Sequence, residues 1–107
     1  MSADAVFGAL ADPTRRRLLA LLDERGDASA TELARELPVT RQAVVKHLGA
    51  LAGAGLVEGS REGREVRFHP TPAPMSEAVG WMAEVGAQWD ERLAQLRSQL
   101  DGSRSTA

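Results

Sequence analysis

The most constraining feature of the chain lies near its end. Met75, Val79, Met82, Gly86, Trp89, Leu93, Leu96 and Leu100 alternate at spacings of four and three residues, the heptad pattern of a helix with one apolar seam. A helix over about 75–100 is on the order of 38 Å long. A chain of 107 residues makes one domain with one modest core, too small to cover such a seam. A second copy is the natural cover, so the spacing predicts a homodimer. Its interface is expected to use Val79, Met82, Gly86, Trp89, Leu93 and Leu96, joined by Val6, Phe7 and Leu10 from a short N-terminal helix. Gly86 costs about 1 kcal/mol of helix propensity and suits a close approach of two helices.

The residues before the seam read as short, well-punctuated elements. In "ADPTRRRLLALLDERG", Asp12 is placed to cap a helix, Pro13 to occupy its first position and Gly26 to end it, with Leu18, Leu19 and Leu22 on one face. Ser29-Ala30-Thr31-Glu32 matches a capping box and opens a helix expected from Ala30 to Leu37, where Pro38 stops it. Thr40 can then cap a helix over about 41–53 whose inward stripe is Val44, Leu48 and Leu51. Two short helices joined by a tight turn are the helix-turn-helix pattern. Beyond Gly53 and Gly55, a hairpin over about 56–69 carries alternating Val66 and Phe68 around a tip at Arg61-Glu62-Gly63-Arg64. Pro70, Pro72 and Pro74 predict that the last helix begins only at Met75, and 102–107 reads as a disordered tail. The expected domain therefore covers 1–101. It is mainly α with a small β-hairpin, in the order α-α-α-α-β-β-α.

Composition narrows the function. The chain has no cysteine, which excludes disulfides, thiolate metal ligands and thiol chemistry. Met1 to Leu10 contains Asp4 and lacks the basic start and apolar run of a signal peptide, and no apolar stretch is long enough for a membrane span. A cytoplasmic protein without a membrane partner is expected. The net charge of −2 hides an asymmetry: six basic and four acidic residues lie between Arg35 and Arg67, against three and five from Phe68 onward. A local basic face binds phosphates despite a negative total, because charges more than about 8 Å apart are screened at physiological salt. No nucleophile with a base, phosphate-cradling glycine loop or metal cluster is recognisable, so an enzyme is not expected.

The strings "LADPTRRRLLALL", "VTRQAVVKHLGALAGAGLV" and "W…QWDERLAQL", in this order, resemble the ArsR family of bacterial winged helix-turn-helix repressors over roughly Val6 to Leu100. The resemblance implies a dimer joined by terminal helices that binds an inverted-repeat operator in double-stranded DNA. "TRQAVVKHL" and "WDERL" look most like a metal-independent branch. The helix from Ala30 has no cysteine pair and the terminal helix no histidine, so neither of the family's metal sites carries over. No metal or cofactor is expected, and any effector is an unidentified small organic molecule.

The residue chemistry points the same way. Thr40, Arg41, Gln42, Val45 and Lys46 lie off the apolar stripe at the start of the second helix of the motif, where side chains reach base edges in the major groove. Arg41 suits guanine O6 and N7, Gln42 adenine, Val45 a thymine methyl and Lys46 a phosphate. Arg61 and Arg64 flank the wing tip, suited to backbone or minor-groove contact, with Glu62 and Glu65 as competing partners. Arg15, Arg16 and Arg17 point to different sides of their helix and suit surface or ion-pair duty. His47 reads as structural before it reads as a DNA contact. A winged helix used as a protein-interaction module is the rival reading.

Overall fold

Capping chemistry sets the helix boundaries. The computed structural model describes residues 3–105, in the order α1 (Ala3–Leu10), α2 (Pro13–Arg25), β1 (Ala28–Ser29), α3 (Ala30–Ala34), α4 (Arg41–Gly53), β2 (Val57–Glu62), β3 (Glu65–Pro70) and α5 (Pro72–Ser105). The Asp12 carboxylate accepts from the backbone N–H of Thr14 at 2.8 Å and Arg15 at 3.2 Å, and Pro13 fills the first helical position. Partial burial pushes the Asp12 carboxyl up, but these N–H groups, with His47 and Arg15 nearby, hold it below the usual range. Gly26, at φ 87°, closes α2 through its N–H on the Leu22 carbonyl, a backbone conformation that favours glycine.

Ser29 and Glu32 form the reciprocal capping box of α3. The helix expected to reach Leu37 ends at Ala34. Beyond it the Glu36 N–H turns to the Leu33 carbonyl at 3.1 Å, a tighter i to i+3 turn, since Pro38 disfavours helical backbone just before it. Leu37 still reaches the core. Thr40 Oγ1 accepts from the Ala43 N–H at 3.1 Å and starts α4, which ends at Gly53 with Gly55 at φ 76° just beyond.

The hairpin is part of a three-stranded antiparallel sheet of order β1-β3-β2. The two-residue β1, too short for any periodicity, pairs Ala28 with Phe68 and Ser29 with Arg67, so the wing is stitched to the start of α3. The wing tip is tighter than expected. Glu62 pairs directly with Glu65, leaving Gly63 and Arg64 as the turn, and Gly63 at φ 63° in the first central position fits a type II′ hairpin. Gly59 sits opposite Phe68, where an added Cβ would come within 3.0 Å of the ring. The ring therefore covers the bare backbone of its neighbour.

The core gathers Val6, Leu18, Leu22, Leu33, Val44, Leu48 and Leu51 from the first four helices and Leu56 from the connection between α4 and β2. Val6 is 1% exposed, which corrects its expected place in a dimer interface: α1 turns it inward against the core. Phe7 and Leu10 are half-buried beside it. The Phe7 ring meets Trp81 of α5 edge to face, 5.6 Å between centroids.

The terminal helix departs from expectation at both ends. It begins at Pro72 rather than Met75, because prolines in the first turn need no intrahelical N–H partner. It continues to Ser105, so 102–105 is helical and not a disordered tail; Gly102 weakens propagation by about 1 kcal/mol but no proline stops it. Residues 106 and 107 lie outside the described residues. At about 1.5 Å per residue α5 spans roughly 50 Å, and the molecule measures 75 × 27 × 20 Å. Most of α5 projects beyond the core. Val79 is 52%, Trp89 56% and Leu93 51% exposed, and Met82, Leu96 and Leu100 are similar. No helix among the described residues is long and apolar enough to cross a membrane.

Candidate nucleic-acid interface

The inward stripe of α4 decides what faces outward. Val44, Leu48 and Leu51 are fully buried, so Arg41, Gln42, Val45 and Lys46 emerge on the opposite side and all four are exposed. Spacings of three and four place them on adjoining turns of one helix face. Val45 is a large exposed hydrophobic at 46%, with no folding role in this chain. Thr40 stands at the same end, with its hydroxyl oxygen already accepting the cap bond.

Arg41 is held in place by a residue that the sequence marks only as part of a capping box. Its Nε donates to Thr31 Oγ1 at 3.0 Å, tying the guanidinium to α3, and its outer nitrogens make no hydrogen bond or ion pair among the described residues. A planar fork fixed along one edge loses less freedom when it meets a base or phosphate.

His47 lies between the exposed face and the core, half-buried. Its Nδ1 accepts from Arg15 Nε at 3.3 Å, which ties α4 to α2. Arg15 also reaches the Gly8 carbonyl at 3.5 Å and Arg16 the Leu10 carbonyl at 2.5 Å. Both carbonyls lie in the last turn of α1, where acceptors lack helical partners. Arg15 and Arg16 therefore cap a neighbouring helix, and no ion pair to either is found among the described residues.

On the wing, Glu62 and Glu65 are drawn to a different partner. Arg67 collects Asp27 at 3.1 Å, Glu32 at 2.6 Å, Glu65 at 3.1 Å and Glu62 at 3.9 Å. The Asp27 hydrogen bond first, then those to Glu32 and Glu65, raise the Arg67 pKa further above its already high value. Arg67 in turn holds the Asp27 and Glu32 carboxyls below the usual range, with the Ser29 backbone helping at Glu32. Arg61 and Arg64 are left exposed, with no ion pair among the described residues. Arg67 thus draws Glu62 and Glu65 toward itself and leaves Arg61 and Arg64 free of ion pairs among the described residues. Alternation alone marks Arg67 as one more outward residue of β3; two of its partners, Asp27 and Glu32, come from parts of the chain far away in sequence.

Helix-turn-helix, three-stranded wing, and an exposed face of arginine, glutamine and lysine on the second helix define the winged helix-turn-helix class of transcription regulators. A helix-turn-helix domain family matches residues 10–60. The chain is 45% identical over 78 residues to the HTH-type transcriptional regulator CmtR of Mycobacterium tuberculosis, covering 72% of this chain and 64% of that protein. It is 30% identical to the transcriptional repressor SdpR of Bacillus subtilis, covering 72% of this chain and 84% of SdpR. Among solved structures, an ArsR-like transcriptional regulator from Rhodococcus sp. RHA1 superposes with a TM-score of 0.77 at 44% identity, covering 90% of each chain. The chain belongs to the ArsR family of winged helix-turn-helix transcriptional regulators. It spans about two thirds of the length of CmtR, 64%.

Proposed function

We propose that the protein is a homodimeric, cytoplasmic repressor that binds an inverted-repeat operator and responds to neither metals nor thiol oxidation. The observation that carries this reading is the single exposed face of α4, where Arg41, Gln42, Val45 and Lys46 stand together while the opposite stripe is buried. In this reading the N-terminal half of α4 enters the major groove, Arg61 and Arg64 meet the flanking backbone or minor groove, and Thr40 approaches a phosphate from the helix start. Two copies present two such helices to successive major grooves about 34–36 Å apart. The absence of cysteine from the chain supports independence from thiol chemistry and thiolate-bound metals.

The exposed seam supports the dimer and suggests its geometry. An antiparallel pairing of two α5 helices sets Val79 against the partner's Leu96 and Met82 against the partner's Leu93, while Met75 packs on its own core. Gly86 then receives the partner's Trp89. The largest seam side chain fills the gap left by the smallest, twice about one two-fold axis, whereas a parallel pairing would set glycine on glycine. Closed two-fold symmetry of the protein matches two-fold symmetry of the operator.

The test is a binding titration of the protein against the DNA upstream of its own gene and against an unrelated duplex, at two salt concentrations. Tighter, saturable and salt-sensitive binding to the upstream fragment is the expected result. Indifference to both duplexes at low salt overturns it in favour of a protein-interaction module.

A further inference from the structure

A cavity of about 520 Å³ opens between α2, the end of β3 and the first turn of α5, away from the exposed face of α4. Its volume lies within the range of small-molecule sites, roughly 300–1,000 Å³. Its walls are mostly apolar, chiefly Leu19, Leu56 and Met75, with one cation, Arg16, one anion, Asp23, and the hydroxyls of Thr71 and Ser76 among the lining residues. One Arg16 nitrogen holds the Leu10 carbonyl, and the remaining N–H groups have no partner among the described residues.

Thr71 supplies the second, independent sign. It lines the cavity, and its Oγ1 is buried without a hydrogen-bond partner. A buried hydroxyl left unpaired is a standing cost that valine of nearly the same shape would avoid. The Thr71 backbone N–H is already used on the Leu56 carbonyl at 2.8 Å, so the fold needs the residue's position but has no use for its hydroxyl. An apolar cleft with a guanidinium at one point and an unsatisfied hydroxyl at another suits an amphipathic carboxylate whose charged end lies on Arg16, about 10 Å along α2 from the like charge of Asp23.

We propose that this cavity binds a small monocarboxylate with an aliphatic or aromatic body, its carboxylate on Arg16 and a polar atom on Thr71 Oγ1. The site also has a mechanical position. Pro70 ends β3 and Pro72 starts α5, and both line the cavity, so an occupant wedges the single joint between wing and dimerisation helix. Resting on the DNA-binding reading above, occupancy resets the angle between the two α4 helices of a dimer and weakens operator binding. A ligand shifts such an equilibrium only through its differential affinity for the two arrangements.

The experiment is calorimetric titration of the full chain with decanoate, and with decanol as the uncharged control. Decanoate is expected to bind saturably at one per chain, with decanol about tenfold weaker for want of the charge-assisted bond. Arg16→Gln, which removes the charge and keeps a side-chain N–H donor, should bring decanoate down to the level of decanol. Ala20→Trp, which fills the cavity from an exposed position on α2, should abolish binding. Thr71→Val should melt higher than the parent yet bind decanoate less tightly, a combination that general damage to the fold does not produce. Unchanged affinity in Ala20→Trp, as binding along the α5 seam would give, overturns the proposal, and so does equal binding of acid and alcohol. Operator affinity measured with and without decanoate tests the coupling; a protein that binds decanoate but ignores every duplex leaves the site standing and removes the DNA-binding reading.

Discussion

Arg41 Nε donates to Thr31 Oγ1 at 3.0 Å, so the arginine proposed to read a base is anchored on α3, the helix that precedes its own. Thr31→Val is expected to leave stability nearly unchanged, because the bond is exposed, while weakening operator binding by about 0.5–1.5 kcal/mol. Arg41→Ala should cost about 1–3 kcal/mol and relax specificity at one base pair of each half-site. In a double-mutant cycle the two losses should fail to add. Full additivity, read from operator titrations of all four proteins, would show that Thr31 plays no part in orienting Arg41.

Arg67 joins β3 to the loop before α3 through Asp27 and to the α3 cap through Glu32. Arg67→Met keeps the length of the stem and removes every one of these bonds. The variant should melt lower and show faster amide exchange across β1 and β3, with α2 and α4 protected as before. It should also lose affinity for DNA generally, since the wing loses a positive charge that offsets Glu62 and Glu65 beside Arg61 and Arg64. Uniform loss of protection over the whole chain would count against a local tether.

The same cluster sets an acid limit. Asp27 and Glu32 have folded-state pKa values below their ordinary 3.8 and 4.5, and Asp12 behaves likewise. A carboxyl whose pKa is depressed on folding contributes stability that is complete above its unfolded pKa and is lost as pH falls through the folded value. Stability should therefore be level in this respect above about pH 5 and decline below about pH 4. Denaturant midpoints measured from pH 7 to pH 3 check it, and in Arg67→Met the decline should be shallower.

The α5 seam predicts its own disruption. Leu93→Glu sets a carboxylate against the partner's Met82 in the antiparallel register, twice per dimer, and should raise the dimer dissociation constant by on the order of a hundredfold or more. Gly86→Leu should do the same by displacing Trp89, whereas in a parallel dimer it would lengthen the apolar seam and tighten the assembly. Sedimentation equilibrium of both variants separates the registers. The far-ultraviolet spectrum should remain helical in each, because Leu93 is 51% exposed in the single chain.

Much of this protein is written locally. Asp12, Pro13, Gly26, the Ser29 and Glu32 pair, Thr40 and Gly55 mark helix ends through bonds that span four residues or fewer, and the structure places the ends of α2, the start of α3 and both ends of α4 there. The apolar stripe of α4 and the seam of α5 are periodic, so the faces opposite them could be assigned from spacing alone, including the exposed group of Arg41, Gln42, Val45 and Lys46. Tertiary structure decided what periodicity does not carry. The two-residue β1 exists only because β3 is there to pair with it, and Arg67 differs from Arg61 and Arg64 only through carboxylates up to forty residues away. Val6 turns inward because the core lies on that side of α1, and the cleft beside Thr71 is lined by segments that meet only once the chain has folded. Bonds within one turn of backbone depend on neighbouring residue types; contacts across the molecule depend on which surfaces the folded chain brings together.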